Sequence, residues 1–146
     1  MPADPSAIAE RIEALVAACR SILQKEVPAG IRAVFLYGSS LKRSFRPDSD
    51  IDLAVLDDDR HPLSWSEQAR LMDALERALG KGVDLRMLRE SSPSHQAHVL
   101  EQGRLVWSRD PGVVESYGQD IRSAVSSERE HAAQEWPRVL DRLAGR

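Results

Sequence analysis
One cysteine, Cys19, is all that 146 residues contain. No internal disulfide can form, so the fold rests on an apolar core, and a reducing compartment is the expectation. Cys19 falls on the apolar stripe of a helical pattern, where a small buried residue is the expected role rather than a nucleophile. A dense basic tract is missing too, and the formal charge is −3, which disfavours non-specific nucleic-acid binding. No apolar run approaches the length of a membrane span, and no stretch reads as a signal peptide. Internal repeats and low-complexity segments are also absent. A soluble, cytoplasmic, single compact domain is therefore expected.

What is present is concentrated between Ala33 and Leu56, AVFLYGSSLKRSFRPDSDIDLAVL. Ala33 to Tyr37 is an apolar run with the length of a buried strand. Gly38-Ser39 ends it, and a glycine at such a break lets the backbone turn sharply and approach a ligand. A second strand pattern opens at Asp50. Side chains alternate along a strand, so Asp50 and Asp52 are expected on one face, about 7 Å apart, with Ile51, Leu53 and Val55 on the other. Like charges so close repel unless a cation neutralises them. Mg²⁺ suits carboxylate oxygens and shares its shell with substrate phosphates, while a turn opening into a short helix offers N–H groups and a hydroxyl to those phosphates. Lys81 to Leu88 reads as a third strand, with Val83, Leu85 and Met87 on one face and Asp84 on the other. Beside the Asp50–Asp52 strand, Asp84 would complete a three-carboxylate site for metal-assisted phosphoryl or nucleotidyl transfer.

Gly38-Ser39, ten intervening residues and then Asp50-Ile51-Asp52 resemble the G-S-x10-D-x-D signature of the DNA polymerase β-like nucleotidyltransferase superfamily. The run Arg46-Pro47-Asp48-Ser49-Asp50-Ile51-Asp52-Leu53 is most similar to its minimal, MNT-type branch, whose members are typically antitoxins paired with HEPN ribonuclease toxins. The pattern of elements extends over residues 8 to 107, and the specific match covers residues 37 to 55 plus Asp84. One position departs from it: Arg43 stands where the family pattern S-R-A-R-G has its glycine.

The remaining elements follow from periodicity. Ile8, Ile12, Leu15, Val16, Cys19, Ile22 and Leu23 mark an amphipathic first helix ended by Pro28 and Gly30. Asp57-Asp58-Asp59 reads as a solvated loop. A second helix is expected from Ser66 to Leu79, with Ser64 and Glu67 as a capping box and Gly80 as its stop. Ser92-Pro93 opens a short helix ending at Gly103; His95 and His98 on it lack a third ligand nearby and read as a solvent-facing pair. Arg104 to Trp107 is a short last strand. Asp110-Pro111 starts a longer helix with Val113, Val114, Tyr117, Ile121, Ala124 and Val125 on its apolar side. Pro137 is expected to break or kink it before a last amphipathic turn at Val139, Leu140 and Leu143. The expected fold is α/β (α+β): a small mixed sheet of three to four strands, at 33–37, 51–56, 82–88 and 104–107, with helices packed on one side. The resemblance implies the polymerase β-like nucleotidyltransferase fold for residues 1–109. Residues 110–146 form a helical extension of the same domain and a candidate partner-docking surface.

The resemblance also implies roles. Asp50 and Asp52 would hold two Mg²⁺ ions, and Asp84 would bind the nucleophile-side metal and help take the acceptor's proton. Gly38 and Ser39 would cradle the β- and γ-phosphates of ATP, with Arg46, Lys42 and Arg43 near enough to offset triphosphate charge. For Lys42 and Arg43 a solvated loop is an equal reading. MNT-type antitoxins transfer AMP from ATP to a tyrosine of their HEPN partner, so the first expectation is a protein adenylyltransferase antitoxin in a homo- or hetero-oligomer. Two alternatives stand beside it: a small-molecule, aminoglycoside-type nucleotidyltransferase, and a binding-only antitoxin that blocks its toxin sterically. An EF-hand is excluded. Counted from Asp48, its sixth and twelfth positions hold Leu53 and Asp59 in place of glycine and glutamate.

Overall fold
The computed structural model describes residues 4–145. Asp4 starts the first helix, α1 (Pro5–Glu26), by accepting the Ser6 N–H on its side chain, with Pro5 in the first turn. The helix thus begins earlier than its apolar stripe, because cap and proline define its start. It buries Val16, Cys19 and Leu23, and burial pushes the Cys19 thiol up to about 11, as an inert core residue should behave. Strand β1 (Ile31–Tyr37) runs into a 3₁₀ turn at Gly38–Leu41, and β2 follows at Ile51–Asp57. The second helix, α2 (Trp65–Leu79), carries the expected capping box, with Ser64 and Glu67 each bonding the other's backbone N–H at 3.1 Å. Strand β3 (Val83–Met87), helix α3 (Pro93–Gln102), strand β4 (Arg104–Ser108) and helix α4 (Pro111–Leu143) complete the order. No helix among the described residues is long and apolar enough to cross a membrane.

The four strands form one mixed sheet in the order β3-β2-β1-β4. β1 is antiparallel to both β2 and β4, while β2 and β3 are parallel. One face presents Val34 and Leu36, Ile51, Leu53 and Val55, and Val83 and Met87 to α1 and α2, where the larger core lies.

Packing on one side only does not hold. Ala33, Phe35, Ala54, Leu56 and Leu88 form a second buried cluster with Val99 of α3 and Val113 of α4. The reason is in the strands themselves: Ala33–Leu36 and Leu53–Leu56 are apolar without alternation, so both faces need cover. The long helix differs as well. Pro137 lies inside α4, which continues to Leu143. Proline removes one backbone bond, and the flanking turns carry the helix past it.

Asp57 is a further correction. It is the last residue of β2 rather than part of a solvated loop, and only 5% exposed. Its carboxylate accepts the Leu63 N–H at 3.0 Å and pairs with Arg89 Nε at 2.9 Å, anchoring the crossover from β2 to α2. Asp57→Ala leaves both donors without their acceptor and should lower the unfolding free energy by about 2 kcal/mol in urea titration. A loss below about 0.5 kcal/mol would show that the pair contributes no net stability.

Candidate active site
The second face of the sheet changes character along its length. At one end Ala33, Phe35, Ala54, Leu56 and Leu88 are buried under α3 and α4. At the other end the same face carries Tyr37, Asp52 and Asp84. Asp52 is the register partner of both Tyr37 on β1 and Asp84 on β3. Residues paired in a sheet point to the same side, so these two carboxylates are neighbours across adjacent strands.

Asp50 lies one residue before the strand that the sequence pattern opens at it: β2 begins at Ile51, and the Asp50 carboxylate turns toward Gly82 at the entry to β3. Ile51 N–H bonds Gly82 C=O at 2.9 Å, which ties this corner to β3. A Cβ at Gly82 would collide with Asp50 Oδ1, so the close approach depends on glycine. Asp50 therefore stands at the same end of the sheet as Asp52 and Asp84, on the lead-in to the strand.

Gly38 opens the 3₁₀ turn with φ +79°, and a Cβ there would collide with Asp52 Oδ2. Both its backbone angle and its contact exclude a side chain. The Gly38-Ser39 turn thus rests directly on the Asp52 carboxylate. Ser39 is partly exposed, whereas Ser40 is buried, its hydroxyl 3.4 Å from Tyr37 C=O. Lys42, Arg43 and Arg46 are exposed, and their side chains make no ion pair among the described residues. The Arg46 backbone is ordered by Ser49, whose hydroxyl accepts the Arg46 N–H at 3.2 Å. A cleft of about 220 Å³ borders the turn, lined by Tyr37, Gly38, Leu41, Lys42, His98 and Gln102.

The electrostatics follow from this crowding. Burial raises the Asp52 pKa above the ordinary carboxylate value, and Asp84 and Asp50 raise it further, while Arg86 opposes them. Burial also lifts the Tyr37 phenol; Asp52 and Asp84 add to that and Arg86 again opposes it. Arg86 Nε lies 3.7 Å from Asp84 Oδ2. Among the described residues no group of three or more His, Cys, Asp or Glu side chains closes around a single point: Asp52 leans on Gly38, Asp50 on Gly82, and Asp84 pairs with Arg86. The donor set nonetheless fits a hard divalent cation. Three carboxylates with incompletely compensated negative potential face the open end of one sheet, beside a turn suited to anions.

Several neighbours of the site were not evident from the sequence. Arg86 follows Asp84 on its own face of β3, two residues on. His95 is half-buried rather than solvent-facing: its ring lies edge-on to Tyr37 at 5.9 Å, and its Nε2 is buried without a hydrogen-bond partner. His98 is exposed, as expected. The one signal for His95 is its place on α3, since Tyr37 immediately precedes Gly38. The separate cleft lined by Arg32, Asp57, Arg89 and Tyr117 lies at the far end of the sheet from Asp52.

The carboxylate coupling has a direct readout. Asp84→Asn removes a neighbouring negative charge and should lower the Asp52 pKa; Arg86→Ala removes the opposing charge and should raise it. NMR titration of the side-chain carboxyl carbons measures both, and identical titrations would show that the two strands do not share a field. A carboxylate with a raised folded-state pKa loses stability as pH rises through the interval between its unfolded and folded values. Asp52→Asn should therefore raise the melting temperature at pH 7, with the gain shrinking below the unfolded pKa of about 3.9.

The geometry can be set beside known proteins. Residues 18–112 match the family model described as polymerase beta, nucleotidyltransferase. No curated protein matches the chain. Among solved structures it is similar to a toxin–antitoxin crystallised with AMP-PNP, at 25% identity and a TM-score of 0.65, over 88% of this chain and 98% of that one. Two more share the fold at 24% identity and a TM-score of 0.61, each over 90% of this chain and 98% of the other. They are the toxin–antitoxin MntA–HepT and the tri-AMPylated Shewanella oneidensis HEPN toxin in complex with its MNT antitoxin. The match spans the sheet, the Gly38-Ser39 turn and all three carboxylates, and the chain belongs to the polymerase beta nucleotidyltransferase family.

Proposed function
We propose that this protein is an antitoxin that transfers AMP from ATP to a tyrosine hydroxyl of a cognate HEPN toxin. The observation that carries this reading is the pairing of Asp52 with Asp84 across parallel strands while the Gly38-Ser39 turn rests on Asp52. The similar toxin–antitoxin with AMP-PNP and the tri-AMPylated HEPN toxin bound to an MNT antitoxin support the donor and the acceptor class.

In this reading Gly38 and Ser39 bind the β- and γ-phosphates through backbone N–H groups and the Ser39 hydroxyl. The exposed Arg46 guanidinium offsets triphosphate charge. Asp50 and Asp52, with Asp84, would hold two Mg²⁺ ions, which when bound neutralise the phosphates and stabilise the entering and leaving oxygens. Asp84, the outermost of the three because β3 is an edge strand, accepts the proton of the incoming hydroxyl. That oxygen attacks the α-phosphorus, the bond to the β-phosphate oxygen breaks, and pyrophosphate leaves.

One observation favours a second reading, a binding-only antitoxin. Trp136, Leu140 and Leu143 near the end of α4 are 60%, 47% and 77% exposed, and at spacings of three and four they share one helix face. That face is the docking surface for the toxin in either reading, and in the second it is sufficient.

Purified protein, incubated with labelled ATP, Mg²⁺ and the HEPN toxin, should label the toxin on tyrosine. Asp50→Ala/Asp52→Ala should reduce labelling by on the order of a thousandfold, the scale of losing metal-borne charge stabilisation. Equal labelling by the double variant would refute the transfer mechanism. Full neutralisation by that variant, abolished by Trp136→Asp/Leu140→Asp, would establish the binding-only reading.

A further inference from the structure
The segment joining the Gly38-Ser39 turn to Asp50 contains no helix or strand beyond Leu41, yet it must hold a phosphate-binding turn in place. Its anchors come from outside. Arg11 on α1 donates from Nε and Nη2 to Ser40 C=O at 3.2 and 2.8 Å, and from Nη2 to Lys42 C=O at 2.7 Å. The same guanidinium lies 4.7 Å from the centre of the Phe45 ring. Lys81, at the start of the β3 segment, places its ammonium 4.9 Å from that ring and donates to Pro47 C=O. Phe45 in turn packs against the main core. Two cations from α1 and the β3 lead-in thus grip one loop at three carbonyls and one aromatic ring.

The grip sets the direction of backbone donors. In a trans peptide the C=O and the following N–H point opposite ways. Lys42 C=O is drawn toward α1, so the Arg43 N–H is turned away from α1, and it makes no hydrogen bond among the described residues. A forked guanidinium can hold two carbonyls in fixed relative orientation, whereas an ammonium acts as a point charge.

We propose that Arg11, braced by Phe45 and seconded by Lys81, is a positioning residue that presets the 38–47 loop for the nucleotide's phosphates. This rests on the reading above that Gly38 and Ser39 bind ATP. Arg11 itself touches no reacting atom; it acts through the loop.

The test pairs hydrogen exchange of the ligand-free protein with calorimetric binding of ATP in Mg²⁺, for wild type, Arg11→Gln, Arg11→Lys and Phe45→Leu. In Arg11→Gln, the amides of Lys42, Phe45 and Ser49, bonded within the loop, should exchange about tenfold faster. The ATP Kd should rise about tenfold. Arg11→Lys keeps the charge and should recover only part of either effect; complete recovery of both would assign Arg11 a long-range charge role and overturn the proposal. Unchanged exchange and unchanged Kd in Arg11→Gln would overturn it outright. Should Arg11→Gln fail to fold, Arg11→Lys and Phe45→Leu decide by the same two measurements, since each keeps the bulk of its side chain. Absence of ATP binding by wild type would instead defeat the functional reading, with loop exchange still judging the grip on its own.

Discussion
The parallel pairing of β2 with β3 is the constraint on which the site depends. It puts Asp52 beside Asp84 at the spacing of adjacent strands, and nothing in the preference of two carboxylates for one another would do so. The pairing holds because the opposite face of the same residues is core: Ile51, Leu53 and Val55 on β2 lie over α1 and α2, with Val83 and Met87 beside them. Slipping β3 by one residue would turn Asp84 into the core and Val83 out to solvent, burying a carboxylate and exposing an apolar side chain that is now 5% exposed. Apolar packing on one face therefore enforces electrostatic strain on the other, where burial first and then the neighbouring Asp84 raise the Asp52 pKa. Such strain is what a divalent cation relieves, and it marks functional sites more often than structural ones.

Along the second face, the chain turns from apolar to polar toward the same end on all three strands, β3 one register step before β1 and β2 because Arg86 pairs with Ala54. Phe35 gives way to Tyr37, Ala54 to Asp52, and Leu88 to Arg86 and Asp84. The apolar end is closed by α3 and the start of α4, and the polar end remains open to a ligand. Small residues assist the closure: Ala33 and Ala54 are fully buried there, which lets the helices approach the sheet. The same architecture thus divides one face into a core and a site, with Tyr37 and His95 at the seam.

Much of this was legible in the sequence. The capping box of α2, the four strands and the outward face of Asp84 follow from turn chemistry and alternation over a few residues. Cover on both sides of the sheet was not read from the sequence: the apolar runs of β1 and β2 are unbroken, but a four-residue run gives no direction for the helices that cover it. Other features depend on contacts distant in sequence. Asp57 looks like one of three solvated aspartates until Arg89, thirty-two residues on, is brought against it. Arg11 and Lys81 carry no local signature at all, because their partners are backbone carbonyls at Ser40, Lys42 and Pro47. The start of β2 is one such feature: the strand begins at Ile51, one residue after Asp50, where the Ile51 N–H bonds Gly82 C=O at the entry to β3. At position 43, the arginine keeps an ordinary negative φ, as do all non-glycine residues described. The loop takes its shape from Arg11 and Lys81 instead.

Paramagnetic relaxation by Mn²⁺, read in the protein's NMR spectrum with AMP-PNP present, tests the central claim most directly. Three carboxylates sharing divalent ions in front of the Gly38 turn should give selective broadening of the Gly38, Ser39, Asp52 and Asp84 signals, abolished by excess Mg²⁺. Broadening confined to the Asp57–Asp59 corner, or spread evenly over surface acids, would contradict it.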